Sequence, residues 1–298
     1  MTRWEIDSSV NLSDGENTAV LDALPYRGDG SGRPDGLALP PARMPLLKSG
    51  RPLKRWRYCG IYGEELMLCA GSVRIGGIPQ AFWAVLDRAT GRLVERTAFT
   101  PGLVAIGDGR ASVTGRGVAI ELSLTPAGEP VEVISRHGGS YIWTRKLPVR
   151  ARGTVVLESG SWELDAAGLV DASAGYHARH TVWQWSAGVG ATSDGRALCW
   201  NLVNGVHDSP TSSERSVWVD GLPHETGPCS FDAALGSVGF PGGERLDFAQ
   251  EAERARDDDL VLFASEYAQP FGTFTGTLPG GLEVAHGFGV MERHDVRW

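Results

Sequence analysis

The sequence predicts an all-β protein in which two β-barrels or β-sandwiches follow one another, preceded by an extended N-terminal arm. Segments with the length and composition of β-strands recur at short spacing, and glycine-bearing turns join them. The 40 glycines and 17 prolines are scattered at turn-like intervals and form no repeat. One stretch, Gln250–Arg256, has a helix-like composition, but it is too short for more than a turn or two.

The chain divides into an arm and two halves. Residues 1–50 are rich in Pro and Gly and weakly patterned, so we interpret them as an extended arm that wraps over the body. Residues 51–168 are predicted to form the first barrel or sandwich, and residues 169–298 the second. The boundary is placed at Asp165–Gly175, where Asp, Ala, Gly and Ser residues predict a loop.

The charge balance argues against a nucleic-acid partner. The formal net charge is −8, whereas a nucleic-acid-binding protein normally carries a basic stripe. We interpret one basic cluster as a solvated segment at the start of the body; it contains Lys48, Arg51, Lys54, Arg55 and Arg57. No apolar run approaches the length of a membrane span. Met1–Glu16 is polar and shows no signal-peptide pattern, which favours a cytoplasmic location.

The cysteines support the same location. Cys59, Cys69, Cys199 and Cys229 are far apart, and they form neither a CxxC motif nor a dense framework. We therefore expect four reduced thiols, buried in the manner of small apolar side chains.

Several enzyme classes lack their motifs here. The sequence contains no GxxxxGK[ST] phosphate loop and no GxGxxG between a strand and a helix. It also contains no GxSxG elbow, and the long helices of an α/β-hydrolase are not predicted. These observations argue against nucleotide-dependent enzymes and serine hydrolases, and we expect no cofactor.

Several segments together carry a family resemblance, namely RPLKRWRYCGIYGEELMLCAGSVRIGGIPQAFWAV, HGGSYIWTRK, SAGYHARHTVWQWSAGVG, NLVNGVHD, QPFGTFTGTLPGG and GFGVMERHDVRW. Through them the chain resembles the domain-of-unknown-function 2804 family from about Arg43 to Trp298. Through Gly175–Trp185 it is also distantly similar to proteins with two lipocalin-like halves, which include carotenoid hydratases and tocopherol-cyclase-like proteins. This similarity implies a ligand site near the junction of the halves and acid-assisted addition, elimination or cyclisation on an apolar, often isoprenoid, substrate. It identifies no catalytic acid in this sequence.

The tryptophans are candidates for the wall of a cavity. Trp183 and Trp185 lie two residues apart in a predicted strand, so they share one face of the sheet. That face either fills an ordinary core or lines a pocket for a large apolar ligand. We expect Trp143 and Trp200 to line or close the same cavity.

A first polar group lies where Tyr176, His177 and His180 enter the Trp183 strand. The HxxH pair is a weak metal motif, because it lacks the Glu of a zincin helix and a third ligand. We expect no metal. One of these side chains could instead exchange a proton or hold a polar group of the ligand.

A second polar group lies in the segment WNLVNGVHD. Asn204 and Asp208 are best explained as turn residues, because their side chains bond their own backbone. Asn201 and His207 are candidates for ligand binding, since Asn201 lies inside an apolar strand.

The third polar group is the C-terminal pair Glu292 and His294, which share a strand face. In an apolar barrel they would be a proton donor and acceptor, and burial would raise the pKa of the Glu and lower that of the His. Alternatively, Glu292 and Asp295 are salt-linked at a strand end to Arg145, Arg179 or Arg293.

Two functions remain open. An enzyme would bind a lipid-like, isoprenoid or polycyclic molecule and catalyse cofactor-independent hydration, elimination, isomerisation or cyclisation, with the proton handled by Glu292, His294, His177 or Tyr176. Alternatively, a non-catalytic carrier or sensor would use the same pocket. The ligand-binding candidates in either case are Trp143, Trp183, Trp185, Trp200, Asn201, His180 and His207. A buried ionisable group without a counter-charge, facing the pocket, would favour the enzyme.

Overall fold

The computed structural model describes residues 19–260 and 263–298, so the polar segment Met1–Glu16 lies outside the described residues. Over those ranges the chain forms 22 strands and one short helical turn at 19–22, which confirms the all-β prediction. Two large antiparallel sheets contain nearly all of the strands. Among the described helical residues, none belongs to a segment long and apolar enough to cross a membrane.

The first half of the chain supplies the first sheet. Its strands are β1 (Tyr26–Gly28), β2 (Leu47–Lys48), β3 (Arg51–Pro52), β4 (Lys54–Tyr62), β5 (Leu66–Ile75), β6 (Ile78–Asp87), β7 (Arg92–Ala98), β8 (Val104–Gly107), β9 (Arg110–Gly115), β10 (Val118–Pro126), β11 (Val131–His137), β12 (Ser140–Leu157) and β13 (Gly160–Gly175). Strands β2 and β3 pair with each other. The others form a curled sheet in the order β7-β6-β5-β4-β13-β12-β10-β9-β8, with β11 paired to β12 and β1 to β11.

The second half supplies the second sheet. Its strands are β14 (His180–Thr192), β15 (Ala197–Asn204), β16 (Ser216–Val219), β17 (Leu222–Glu225), β18 (Ser230–Phe231), β19 (Ser237–Gly239), β20 (Arg245–Leu260), β21 (Phe263–Leu278) and β22 (Leu282–Arg297). They lie in the order β17-β16-β15-β14-β22-β21-β20-β19-β18. Strand β14 therefore lies beside the C-terminal strand β22, which places the Trp183 segment next to the Glu292 segment.

The loop predicted at Asp165–Gly175 is wrong. That segment is the second half of β13, which pairs with β12 on one side and with β4 on the other. Its small and polar residues fit a central strand because the pairing partners on both sides satisfy its backbone. The chain changes sheet between Gly175 and His180. The division into domains at 168 and 169 stays a prediction.

The helix-like segment Gln250–Arg256 is also a strand, since it lies inside β20 and pairs with β21. The register shifts between Gln250 and Ala252, which marks a β-bulge. Pairing with a long neighbouring strand therefore overrides a local preference for helix, which is a weak determinant on its own.

The apolar core consists of three clusters within and between the sheets and a fourth under the N-terminal arm. One cluster lies within the first sheet, another lies within the second, and a third joins Tyr58, Tyr62 and Met67 of the first sheet to Trp185 and Phe271 of the second. The described part of the arm packs on the outside of the first sheet. Its apolar residues Leu21, Leu39 and Met44 form a cluster with residues of the body, which include Ile134, Tyr141, Trp143 and Tyr176. The two sheets are thus held together by one continuous apolar layer.

Close packing of Trp200 requires a glycine opposite it. Gly188 on β14 pairs with Trp200 on β15, and a Cβ at Gly188 would lie 2.1 Å from the Trp200 ring. We expect Gly188→Ala to lower the free energy of unfolding by about 1–3 kcal/mol, because a fully buried indole has no room to move. Gly107→Ala is the control, since Gly107 also lies in a strand but faces open space. Equal midpoints of urea unfolding for the two variants would contradict this packing.

The four cysteines are free in the structure. Burial raises the pKa of Cys59 and Cys69 to about 12 and that of the partly buried Cys229 to about 11. We therefore expect slow or absent reaction of the native thiols with a disulfide reagent at neutral pH. After denaturation without reductant, four thiols should react. A denatured count of two or none would show that disulfides form and would contradict a cytoplasmic location.

Candidate functional site

A cavity of about 160 Å³ lies between the two sheets, room for roughly ten water molecules. Trp56, Tyr58 and Phe82 of the first sheet line it, and Trp183 and Trp185 of the second sheet face them. Polar and charged side chains also line this space, and they include one group around Glu292 of the second sheet and one around Lys146 of the first. The geometry suits a small organic molecule with an apolar body.

The register of β14 and β22 places one of these polar groups. Trp185 is paired with Glu292, and Trp183 is paired with His294. Directly paired residues project to the same face of a sheet, and residues two apart in a strand share a face. All four side chains therefore line the cavity, as the alternation in the sequence predicts.

Glu292 is buried and hydrogen-bonded to neutral groups. Its carboxyl group accepts hydrogen bonds from Trp183 Nε1 at 2.7 Å, Gln269 Nε2 at 2.9 Å and the Tyr267 hydroxyl at 3.1 Å. Burial raises its pKa, although these hydrogen bonds and the nearby Arg254 guanidinium act in the opposite direction. The carboxyl group can thus hold a proton closer to neutral pH than an exposed Glu can.

The salt-linked alternative for Glu292 is wrong. Within residues 19–260 and 263–298, no cation lies in ion-pair contact with Glu292. Arg293, the residue next to it, contacts Glu266 at 2.9 Å on the outside of the sheet. A strand alternates its faces, so adjacent residues cannot both point into the cavity.

His294 is a neutral neighbour of this carboxyl group. Burial lowers its pKa to about 3, so the imidazole is uncharged at neutral pH. Its Nε2 is 2.8 Å from the Ser265 hydroxyl, and its ring lies 4.4 Å from the Trp183 ring. An imidazole with so low a pKa is a weak base, so this geometry favours a positioning role for His294 over proton transfer.

The raised pKa of Glu292 makes stability depend on pH. The folded protein binds the Glu292 proton more tightly than the unfolded chain, so this group's contribution is fully present below its ordinary pKa of 4.5 and is lost as pH rises through the higher folded value. We expect Glu292→Gln to have a higher Tm than the unmodified protein at pH 8. The difference should shrink or reverse at pH 4, and an equal Tm difference at both pH values would contradict a raised pKa.

The second polar group is a buried ion cluster of Lys146, Asp171 and Glu214. Lys146 Nζ lies 2.8 Å from Asp171 Oδ2 and 3.3 Å from Glu214 Oε1. Lys146 and Asp171 are paired across β12 and β13, so both project into the cavity. Burial raises the pKa of Glu214, and the neighbouring Asp171 carboxylate adds to this rise, while the attraction of Lys146 acts in the opposite direction.

Asn201 connects this cluster to the cavity wall. Trp185 Nε1 donates to Asn201 Oδ1 at 2.8 Å, and Asn201 Nδ2 donates to Glu214 Oε1 at 3.3 Å. Trp183 and Trp185 therefore each donate an indole N–H to a different network, one ending at Glu292 and one at Glu214. Asn201 is buried behind Trp185 and is not part of the cavity wall.

Two predicted histidines line the cavity. His207 Nδ1 is 2.9 Å from the Ser135 hydroxyl, and its Nε2 has no hydrogen-bond partner among the described residues. His177 is also buried, and its ring interacts with the Gly175 backbone. Burial lowers the pKa of both histidines well below the usual range, so both rings are neutral. No group of described residues has the arrangement of a metal site.

Four predicted site residues lie elsewhere. Trp143 and Tyr176 pack under the N-terminal arm, where the Tyr176 hydroxyl donates to the Pro45 carbonyl oxygen at 2.8 Å. Trp200 fills the separate core of the second sheet, and His180 is exposed and contacts Asp295 at 2.7 Å. The prediction that Trp143 and Trp200 line the cavity is wrong, because each lies on the opposite face of its sheet.

Six residues of this region were not predicted from the sequence: Lys146, Asp171, Glu214, Arg254, Tyr267 and Gln269. The adjacent pair Arg145 and Lys146 was the available signal for the ion cluster, because alternation along a strand turns one of the two charges inward. Arg254 lay in the segment taken as helix-like, so its inward direction could not be predicted. In the structure its guanidinium group lies between the Phe82 and Tyr267 rings, at 4.3 and 4.9 Å.

Two curled antiparallel sheets with a cavity between them define a protein with a two-part lipocalin-like fold. Residues 111–298 match the family described as domain of unknown function (DUF2804), which is more than half of the chain, so the chain belongs to that family. This confirms the resemblance found in the sequence. No curated protein is similar to the chain in sequence at a significant level.

Two crystal structures share the fold. A protein of Nitrosomonas europaea assigned as AttH is 15% identical, with a TM-score of 0.52 over 87% of this chain and 97% of the other. Kievitone hydratase of Nectria haematococca is 11% identical, with a TM-score of 0.53 over 80% of this chain and 88% of its own. At such identities the likeness establishes the fold.

Proposed function

We propose that the protein binds a small, largely apolar molecule between its sheets and catalyses a cofactor-independent proton transfer on it. The reaction class is hydration, elimination, isomerisation or cyclisation. The observation that carries the proposal is Glu292, a buried carboxyl group with no ion-pair partner in the described chain, facing an aromatic cavity. Such a group lowers stability at neutral pH, so its presence at the cavity favours a chemical role over that of a carrier. Kievitone hydratase, with a similar fold, is named for a hydration.

Glu292 would act first as an acid and then as a base. Glu292 would protonate a substrate double bond or, in an elimination, the hydroxyl group that leaves as water. Either step leaves a carboxylate beside a carbocation, which the aromatic rings of Trp56 and Trp183 that line the cavity stabilise through their π-systems. Attack by water or by another double bond and then loss of a proton, or direct loss of a proton from the carbocation, returns one proton to Glu292 and completes the reaction. The electrons and protons balance without an oxidant or a cofactor.

The proposal assigns different roles to the other polar groups. His294, with its low pKa, holds the Trp183 ring and does not take part in proton transfer. The free and largely buried cysteines support a cytoplasmic location for this reaction.

Mass spectrometry of small molecules bound to the purified protein tests the proposal. The unmodified protein and Glu292→Gln are prepared identically, and their bound compounds are extracted and separated. We expect the variant to retain a substrate and the unmodified protein a product that is its isomer or differs by one water. The same compound in both, stable on incubation with fresh protein, would show a carrier and overturn the proposal.

A further inference from the structure

We infer that the cavity contains a second binding site, formed by Lys146, His207 and His177, that holds a carbonyl or hydroxyl oxygen of the ligand. This inference rests on the proposed function only in calling the ligand a substrate. It specifies the substrate class as an apolar molecule with an oxygen atom at one end and the reacting carbon at the other.

Lys146 has one N–H donor that its two carboxylate partners do not use. Its ammonium group has three N–H donors, and the two carboxylate contacts, at 2.8 and 3.3 Å, use two of them. Lys146 is 3% exposed, lines the cavity and lies 5.9 Å from the Trp185 ring, so a ligand in the cavity can reach its remaining donor. A charged donor in a water-poor site binds a ligand oxygen more strongly than a neutral donor does.

The histidines provide an independent observation. His207 is 5% exposed, lines the cavity and has no partner for Nε2 in the described chain. His177 is 2% exposed and lines the cavity beside it, with its ring near the Gly175 backbone. A buried nitrogen without a partner costs free energy, so a bound molecule is expected to complete it. The other ring nitrogen of His207, Nδ1, lies 2.9 Å from the Ser135 hydroxyl, and this hydrogen bond orients the ring.

The Lys146 group and the Glu292 group lie on different sheets. Lys146 and Asp171 belong to β12 and β13 of the first sheet, whereas Glu292 belongs to β22 of the second. Lys146, Asp171 and Glu292 nevertheless line the same cavity. A ligand whose oxygen is bound at Lys146 therefore extends across the aromatic space toward Glu292.

Equilibrium dialysis with two probes tests this site without any turnover. The probes are 1-tetralone, a bicyclic ketone, and tetralin, the same bicycle without the oxygen. We expect the unmodified protein to bind the ketone at least about tenfold more tightly, the value of one good hydrogen bond to a charged donor. Equal affinities, or no binding of either probe, would overturn the inference.

Two variants test whether the preference for 1-tetralone over tetralin depends on the proposed oxygen site. The first variant is His207→Asn, because Asn also tolerates the positive φ of this position. The second is the double variant Lys146→Met/Asp171→Asn, which removes one positive and one negative charge together. Either folded variant should lose most of the ketone preference and keep its affinity for tetralin. His286→Asn, on an exposed histidine, is the control and should keep the preference. A preference that survives in the folded variants would place the oxygen elsewhere and overturn the inference.

The binding test and the catalytic test can fail separately. If the unmodified protein prefers the ketone but Glu292→Gln retains full turnover, the proposed function fails and the oxygen site stands. If turnover depends on Glu292 but the ketone preference is absent, the oxygen site fails and the proposed function stands.

Discussion

Replacing Trp185 with alanine is expected to lower the free energy of unfolding by about 3–5 kcal/mol and also to weaken ligand binding. Trp185 is 5% exposed, packs edge-on against Tyr58 at 5.4 Å, and forms part of the cavity wall. Its removal therefore leaves a void in the layer that joins the sheets and opens the site. Urea unfolding measures the first effect, and equilibrium dialysis with tetralin measures the second.

Trp200→Ala is the matched control. Trp200 is as large and completely buried, but it packs against Phe274 in the core of the second sheet, away from the cavity. It should lose a similar free energy of unfolding while its folded form binds tetralin normally. If the two variants affect binding equally, Trp185 is only a core residue and the cavity is not the ligand site.

Glu292→Gln is expected to lower kcat by about 10²–10⁴-fold, the usual contribution of a general acid or base. The substitution preserves the size of the side chain and an oxygen that can accept the Trp183 N–H, so binding should change little. Turnover is measured on the compound extracted from the variant.

Glu283→Gln is the control for this substitution, because Glu283 lies on the same strand but is exposed. It should leave kcat unchanged. Full activity in Glu292→Gln would remove Glu292 from the reaction and leave a binding protein.

The faces of β14 and β22 could be predicted from the sequence because they depend only on alternation within a strand. Trp183 and Trp185 share a face, as do Glu292 and His294, and the structure pairs these two faces in register. The pairing itself joins segments about 110 residues apart. No local pattern specifies such a long-range partner, which explains why Tyr267 and Gln269 were not anticipated.

The errors have a common physical cause. Trp200 was expected in the cavity because it is large and apolar, but its pairing with Gly188 places it on the other face of the sheet. Asp165–Gly175 was expected to be a loop from its composition, but two neighbouring strands hold it in the sheet. Tyr176 was expected at the site entrance, where the N-terminal arm covers it instead. In each case the position of the residue depends on tertiary contacts, which the local composition does not specify.

The most direct test of the central claim is deuterium transfer catalysed by Glu292. The compound extracted from Glu292→Gln is incubated in D₂O with the unmodified protein, and the product is analysed by mass spectrometry. We predict one deuterium bound to carbon in the product for each turnover of an addition, isomerisation or cyclisation, and for an elimination an unlabelled product lighter by one water, with at least about 100-fold less product from Glu292→Gln. Recovery of the compound unlabelled and unchanged from the unmodified protein would contradict the claim that this cavity transfers a proton.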